Sequence, residues 1–506
     1  MKVLKKVSKR EAIDFLFRDL DLKDSKIYEE ANSPDKIGIF QMVGGTASFM
    51  IEKIKPKNFD ELNACNAFAR PGTMDFVDQY VYNRDNEYST YPDKIKEILS
   101  TTNSVILFQE QVMEIFNKIG GFSLEETNNI RGLMKKLGKL DKDPEDLKKW
   151  DKVLLKFKKG AINNGISEKE ADLVAEDLLK MSSYSFNNSH SVSYTYIAVI
   201  TLYLSVYFRK YFYSSVLEYE VDRDKYLVER LVTVANHGFE ILPPDINLSK
   251  DKMSPLDGNK IIFGLKDVKG VGDSAVPIIL EKRPYKDFFD FIIKTRSRGV
   301  SSAVIKALIK IGAFDNLING ERKKYLHAFN TFWDKRASTK VVEKLEQLWK
   351  DCLSNSSRIP LIETKQSDLM EYEKDVLGFN FFISPFTPKR IETINLMRKR
   401  SLAYYDFADV TSVSKKIAVS VSSVRTIIDK NGNEMAFVEI DDINRNRKTI
   451  PIFASYWKVI GSKILSARDK IVLINVYLDD KNSIMFGQRG YVNDELKILR
   501  MIMEMP

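Results

Sequence analysis

Cysteine and histidine are scarce in this 506-residue chain, with two of the first and three of the second. Cys65 and Cys352 lie far apart, which excludes a four-thiolate zinc site and leaves both as expected free thiols in a reducing cytosol. His190, His237 and His327 are equally scattered, so inventory alone removes a histidine-rich hydrolytic metal centre. Long apolar runs are missing too. No window reaches the roughly 18 uninterrupted apolar residues of a membrane span. The nearest, residues 194–208, contains Thr201 and Ser205 and reads as a buried helix. Residues 1–10 are basic, but neither an apolar signal core nor a small-residue cleavage site follows them. The expectation is a cytoplasmic protein with no membrane partner.

What is present is ordinary for a folded protein: 44% apolar and 29% charged residues. The length exceeds what one compact core sustains, and three or four domains are expected. A net charge of +9 favours a polyanionic partner, although many lysines belong to solvated helix faces.

Apolar residues recur at helical spacing over residues 92–99, 108–119, 124–137, 167–181 and 194–217. Pro92 suits a first helical position, where a missing N–H costs nothing. A second unit begins near Gly238, after which Ile241-Leu242-Pro243-Pro244-Asp245 ends the helical pattern. A short strand-like run over residues 261–265 precedes Val268-Lys269-Gly270-Val271-Gly272 and a helix, and a second helix-turn-helix closes at Gly312. Residues 321–350 form one or two amphipathic helices, and 351–365, with Ser354-Asn355-Ser356-Ser357, read as a linker.

From Lys416 the chain becomes strand-rich, with runs at 417–428, 434–440, 449–455, 470–478 and 483–488. Asn431-Gly432 turns between the first two, and residues 479–482 between the last two. A helix over 456–465 follows the third strand. Five strands with one helix after the third is the layout of an OB barrel.

Several stretches together resemble the alpha subunit of bacterial DNA polymerase III, the C-family replicative polymerases. Ile37-Gly38-Ile39-Phe40-Gln41 resembles the opening of the family's fingers. Ala69-Arg70-Pro71-Gly72-Thr73-Met74 is similar to its RPGPM motif, with Thr73 in place of a proline. Phe108-Gln109-Glu110-Gln111-Val112-Met113 resembles YQEQVM, and Gly160-Ala161 with Asn164-Gly165-Ile166 resembles GAxxNGI. Phe186-Asn187-Asn188-Ser189-His190 resembles FNKSH, with Asn188 in place of lysine. The run into Gly270-Val271-Gly272, the segment Ile311-Gly312-Ala313-Phe314-Asp315 and Glu373-Lys374-Asp375-Val376-Leu377-Gly378-Phe379 follow in the family's order.

The resemblance implies a multidomain fold: a mainly α-helical fingers-like region over 1–230, a helix-hairpin-helix module over 231–330, a helical connector over 331–410, an all-β OB-fold barrel over 411–492 and a tail over 493–506. It implies nucleotide-binding roles for Arg131, Lys135 and Lys136, beside which Lys139 lies and Gly132 stands in place of a second arginine. Asn187, Asn188, Ser189 and His190 are implied at the same substrate, ahead of an apolar helix whose N-terminus suits phosphate; ordinary N-capping explains part of that pattern. Arg70, Gln109, Gln111, Lys266, Lys269, Gly270, Val271 and Gly272 are implied as DNA-binding, the glycines by letting backbone amides approach a phosphate without reading bases, while for Arg70, Gln109 and Gln111 buried structural hydrogen bonding is the equal alternative. The barrel, with Phe437, Phe453 and Phe486, suits single-stranded DNA, although core packing explains barrel aromatics too. Gln366, Leu369 and Met370 resemble a sliding-clamp peptide.

In this family the magnesium carboxylates lie on a palm that precedes the matched region. No catalytic residue is therefore expected here. Asp14, and Asp19 with Asp21, are the local alternatives, read in preference as solvated turns. The resemblance thus implies part of a split replicase, with primer-template DNA and dNTP as ligands, magnesium only in the assembly, and a palm-bearing chain as partner. The alternatives are a non-catalytic DNA- or clamp-occupying decoy and a piece of a longer polymerase.

Overall fold

The computed structural model describes residues 20–504, apart from residues 35, 71, 138–142, 183–185, 220–222, 297–298, 336–340, 359–362, 385, 387, 400–402, 405, 445, 468–469 and 489–493. The chain forms two compact units, Met1–Val216 and Leu217–Pro506.

The first unit is helical. Its helices are α1 (Ser25–Ala31), α2 (Gly45–Ile54), α3 (Phe59–Phe68), α4 (Val77–Asn86), α5 (Asp93–Ile98) and α6 (Gln109–Glu114). They continue with α7 (Leu124–Leu137), α8 (Pro144–Asn163), α9 (Glu168–Ser182), α10 (Asn188–Tyr207) and α11 (Arg209–Glu218). Pro92 caps α5 from outside with extended backbone instead of occupying its first turn. The expected 194–217 helix starts earlier, at Asn188, and breaks at Phe208. Ring edges organise one core: Phe116 meets Phe122, Trp150 and Phe157 at centroid distances of 5.3, 5.9 and 5.4 Å. No single described helix is long and apolar enough to cross a membrane; α10 and α11 pass that test only as a pair bent by 117°.

The second unit opens with α12 (Arg223–Asn236) and a small sheet of β1 (Glu240–Leu242), β2 (Ser254–Pro255) and β3 (Lys260–Ile262), in the order β1-β3-β2. The helix-hairpin-helix part follows as α13 (Val276–Glu281), α14 (Phe288–Thr295), α15 (Ser302–Ile311) and α16 (Asp315–Ile318). Next come α17 (Arg322–Lys335), α18 (Val342–Ser357), α19 (Gln366–Leu377) and α20 (Pro388–Lys399). The expected linker is corrected here, because Ser354–Ser357 is the last turn of α18. Trp349 and Cys352 anchor that helix in apolar surroundings, and the Ser356 hydroxyl, 2.9 Å from His327 Nδ1, is satisfied inside.

The barrel consists of β4 (Lys415–Ile428), β5 (Glu434–Asp441), β6 (Arg447–Ile452), α21 (Ala454–Ser466), β7 (Ile471–Leu478) and β8 (Ile484–Phe486), in the order β6-β5-β4-β7-β8. Its curl comes from β4. The first half of that long strand pairs β7, the second half pairs β5, and the register shifts between Val421 and Ser423. Alternation puts Ile417, Val419 and Val421 inside, where Trp457 and Ile460 of α21 close the core. The expected tail is also corrected: α22 (Glu495–Leu499) and β9 (Ile502–Glu504) belong to the barrel. Ile498, Met501 and Ile502 lie in its core, and β9 pairs β7.

Candidate nucleic-acid interface

In the first unit, polar side chains stitch α3 to α10. Asn63 Nδ2 donates to Asn188 Oδ1 at 3.0 Å, the Thr195 hydroxyl donates to Asn63 Oδ1 at 3.2 Å, and Asn66 Nδ2 donates to that hydroxyl oxygen at 2.6 Å. Buried amides hold position only when paired, so this ladder fixes the register of α10 against α3.

The N-terminus of α10, expected as a phosphate site, is taken by a carboxylate of the protein. Glu110 accepts from the Asn188 backbone N–H at 2.8 Å and from the Asn187 side-chain amide at 2.9 Å, with the Ser189 N–H at 3.5 Å. Asn187 Oδ1 meanwhile accepts from the His190 N–H as an N-cap. A carboxylate thus occupies the helix end at which the resemblance implies nucleotide contacts from Asn187, Asn188 and Ser189. Glu110 escaped the sequence reading, which weighed Gln109 and Gln111 on either side of it.

Gln111 is corrected as well. It is buried; its Oε1 accepts from the N–H groups of Leu107 and Phe108, both at 3.0 Å, and its Nε2 donates to Thr102 at 2.7 Å. The amide oxygen is spent on the turn that starts α6, and the amide nitrogen ties that turn to the 3-10 turn Ser100–Thr102. Gln109 contributes its backbone N–H to Phe186 O at 2.8 Å, which pairs the α6 entry with the α10 entry.

Arg70 and His190 do come together. Phe186 lies between them, with the Arg70 guanidinium 4.9 Å from its ring centre and the exposed His190 ring 5.6 Å away. His190 stacks on Tyr194 at 4.3 Å, and Tyr194 meets Phe40 at 5.5 Å. Of these rings Phe186, His190 and Tyr194 border an open cleft of about 440 Å³ whose further lining includes Gln41, Thr46 and Asn66. A cation over an aromatic row beside amide groups suits a flat base carrying a phosphate. Tyr194 is missed from sequence because an aromatic in a helical pattern reads as core, and Phe186 because its place depends on the α6 entry it pairs with.

Arg131 and Lys136 sit exposed on α7, away from this lining. Lys136 borders a separate groove between α7 and α8, with Lys149, Lys152 and Lys156 along it. Its ammonium is 3.9 Å from Asp146. The side chain of Lys135, and Lys139 entirely, lie outside the described residues.

In the second unit, Gly270 adopts φ +84°, a conformation costly for other residues. Val271 is buried beneath the turn, while Lys269, Gly270 and Gly272 face solvent. The Lys269 N–H is held by Val376 O at 2.8 Å, so the C-terminal end of α19 braces the hairpin. Lys266 carries a surface ion pair. Asp273 lies 2.5 Å from its ammonium, which raises the lysine pKa and lowers that of the aspartate.

The clamp-like peptide is the first turn of α19. Gln366 Nε2 donates to Ser384 O at 2.7 Å, and Leu369 and Met370 are half-buried on the helix. Asp21 accepts from the Lys23 N–H in a local turn; Asp14 and Asp19 lie outside the described residues. Among the described residues no group of three or more His, Cys, Asp or Glu is placed to hold a metal ion.

The profile of the bacterial DNA polymerase III alpha subunit finger domain matches residues 1–165, and that of the helix-hairpin-helix motif matches residues 238–325. The DNA polymerase III subunit alpha of Aquifex aeolicus is 32% identical over 491 residues, which is 95% of this chain and 40% of that protein. The chain belongs with the DNA polymerase III alpha subunits, from the fingers onward. The Staphylococcus epidermidis subunit is 30% identical over 89% of the chain and 41% of its own length, and that of Buchnera aphidicola 27% over 95% and 42%. The chain thus spans about two fifths of the alpha subunits it matches. Its departures from the alpha-subunit motifs are locally accommodated. Thr73 is fully buried, with its hydroxyl on Ala67 O and Arg70 O at 2.8 and 3.0 Å. Asn188, in place of a lysine, is held between Asn63 and Glu110.

Proposed function

We propose that this chain grips primer-template DNA and positions the incoming nucleotide within a C-family DNA-directed DNA polymerase, while a palm-bearing chain supplies the metal carboxylates in trans. One observation carries the reading: collinear identity with polymerase III alpha subunits over 95% of the chain. Two surfaces support it. The Gly270 hairpin exposes backbone to a DNA phosphate without a base-reading group. The Arg70–Phe186–His190–Tyr194 cleft offers a cation and stacking rings to a nucleotide. On this reading magnesium and dNTP chemistry belong to the assembled enzyme, whose palm supplies the metal carboxylates.

The test is direct. Purified chain is expected to bind primer-template DNA with an affinity that falls steeply with salt, and to extend no primer until a palm-bearing polymerase chain is added. Robust extension by this chain alone overturns the in-trans palm. Binding without rescue by any palm-bearing chain favours a DNA-occupying decoy. Failure to bind DNA overturns the reading itself.

A further inference from the structure

The amide ladder between α3 and α10 ends in the cleft bordered by Phe186, His190 and Tyr194. Asn66, half-buried and four residues before Arg70, lines that cleft. Its Nδ2 donates inward to the hydroxyl of Thr195, which is fully buried. The two ends of a planar amide diverge, so Oδ1 is the end left to the cleft.

The ladder has no built-in direction. In one sense Asn63 donates to Asn188, Thr195 donates to Asn63, and Asn66 donates to Thr195. In the reverse sense the amides of Asn188, Asn63 and Asn66 turn over and the Thr195 hydrogen swings to Asn66. Every link then still holds one donor and one acceptor. Neighbouring amides lack this freedom. Gln111 Oε1 accepts two backbone N–H groups and Asn187 Oδ1 accepts the His190 N–H, and a backbone N–H cannot become an acceptor. Among the described residues the side chains of the ladder bond only one another.

The consequence is felt at the cleft. In one sense Asn66 presents a carbonyl acceptor there, and in the other an N–H donor. Bases differ in the same respect: adenine and cytosine carry an amino group where guanine and thymine carry a carbonyl. A fixed amide would favour one pair over the other. A reversible one meets both.

We propose that Asn66 bonds the base of the bound nucleotide, and that reversal of the ladder makes the cleft indifferent to which base it is. The proposal rests on the nucleotide-positioning function above.

The experiment measures binding of dATP, dCTP, dGTP and dTTP to the full chain by isothermal titration calorimetry at pH 8. Wild type is expected to bind all of them alike. Asn188→Asp places an acceptor-only group at the far end of the ladder, ionised at this pH. Asn63 must then donate to it, Thr195 to Asn63 and Asn66 to Thr195, which leaves Asn66 Oδ1 facing the cleft. Now dATP and dCTP should bind about tenfold tighter than dGTP and dTTP, as one hydrogen bond kept against one left unmade predicts. Asn66→Asp, an acceptor at both ends, should show the same split from inside the cleft. Asn66→Leu should weaken all the nucleotides equally. A merely structural role for the ladder lowers affinity without splitting the bases.

The absence of an amino-over-keto split in both aspartate variants overturns the proposal. So does a wild type that already prefers one pair, or an Asn66→Leu chain that binds as the wild type does. Binding without the split sinks this proposal alone, whereas a wild type that binds no dNTP sinks the nucleotide cleft with it.

Discussion

Glu110 closes the N-terminus of α10 by accepting the Asn188 backbone N–H at 2.8 Å. One acidic side chain on α6 thus does what a bound phosphate does elsewhere, and it ties the Phe186 stack to the rest of the unit. Glu110→Ala is expected to cost about 2 kcal/mol, a fall in Tm of about 5 °C, because buried or half-buried donors lose a charged acceptor. Glu110→Gln, which keeps one acceptor, should lose about half of that. Thermal unfolding followed by circular dichroism checks both; a silent Glu110→Ala shows that the contact is not made.

Gly132 faces solvent on α7, and a Cβ placed there meets nothing within 4 Å. Gly132→Arg is expected to stabilise the chain by about 0.5–1 kcal/mol, since glycine is costly in a helix interior. It also restores the arginine that the polymerase motif carries. Nucleotide affinity in the complex with a palm-bearing chain should rise with it, measured by the KM for dNTP.

The hairpin makes a separable contribution. Lys269→Ala should lower the salt slope of DNA binding by about 1, the signature of one lost phosphate contact, without changing sequence preference. Gly270→Asp should weaken binding further, since it strains the φ of +84° and sets a carboxylate against the DNA backbone. Fluorescence anisotropy titrations across a salt series read both.

Asp273 restrains Lys266 at 2.5 Å. Asp273→Asn should free the ammonium, tighten DNA binding and steepen the salt slope by about 0.9. The pH behaviour follows from the sign. The ion pair holds the Asp273 carboxyl below its usual range and the Lys266 ammonium above its own, so the pair is lost as pH falls through the lowered value or rises through the raised one. Between about pH 6 and 8 the wild-type affinity should therefore show no dependence on this pair.

The barrel was legible because its short β-rich runs are separated by turn residues, Gly432 at φ +79° and Asn482 at φ +58°. Part of the helices were legible as well, but their ends were not, and α2, α3, α4 and α8 went unread. Ser354–Ser357 has linker composition, yet Trp349, Cys352 and Ser356 find buried partners, and tertiary packing overrides the local preference. Residues 493–506 show no period long enough to read, and their strand exists because β7 offers an open edge. At the site, motif resemblance brought out Arg70 and His190, whose shared ring Phe186 it did not weigh. It could not separate Gln111, spent on backbone, from a ligand contact, and it passed over Glu110. Which polar group faces outward depends on partners distant in sequence, here 77 residues away in the case of Asn187.

The pairing of Ile502–Glu504 with Val472–Ile474 has a practical corollary for anyone preparing the protein. Trimming the last dozen residues would strip Ile498, Met501 and Ile502 from the apolar interior and lay bare half of the β7 rim. An unpaired rim of Val, Leu and Ile invites cross-chain stacking, so shortened preparations should precipitate on concentration where full-length ones stay clear.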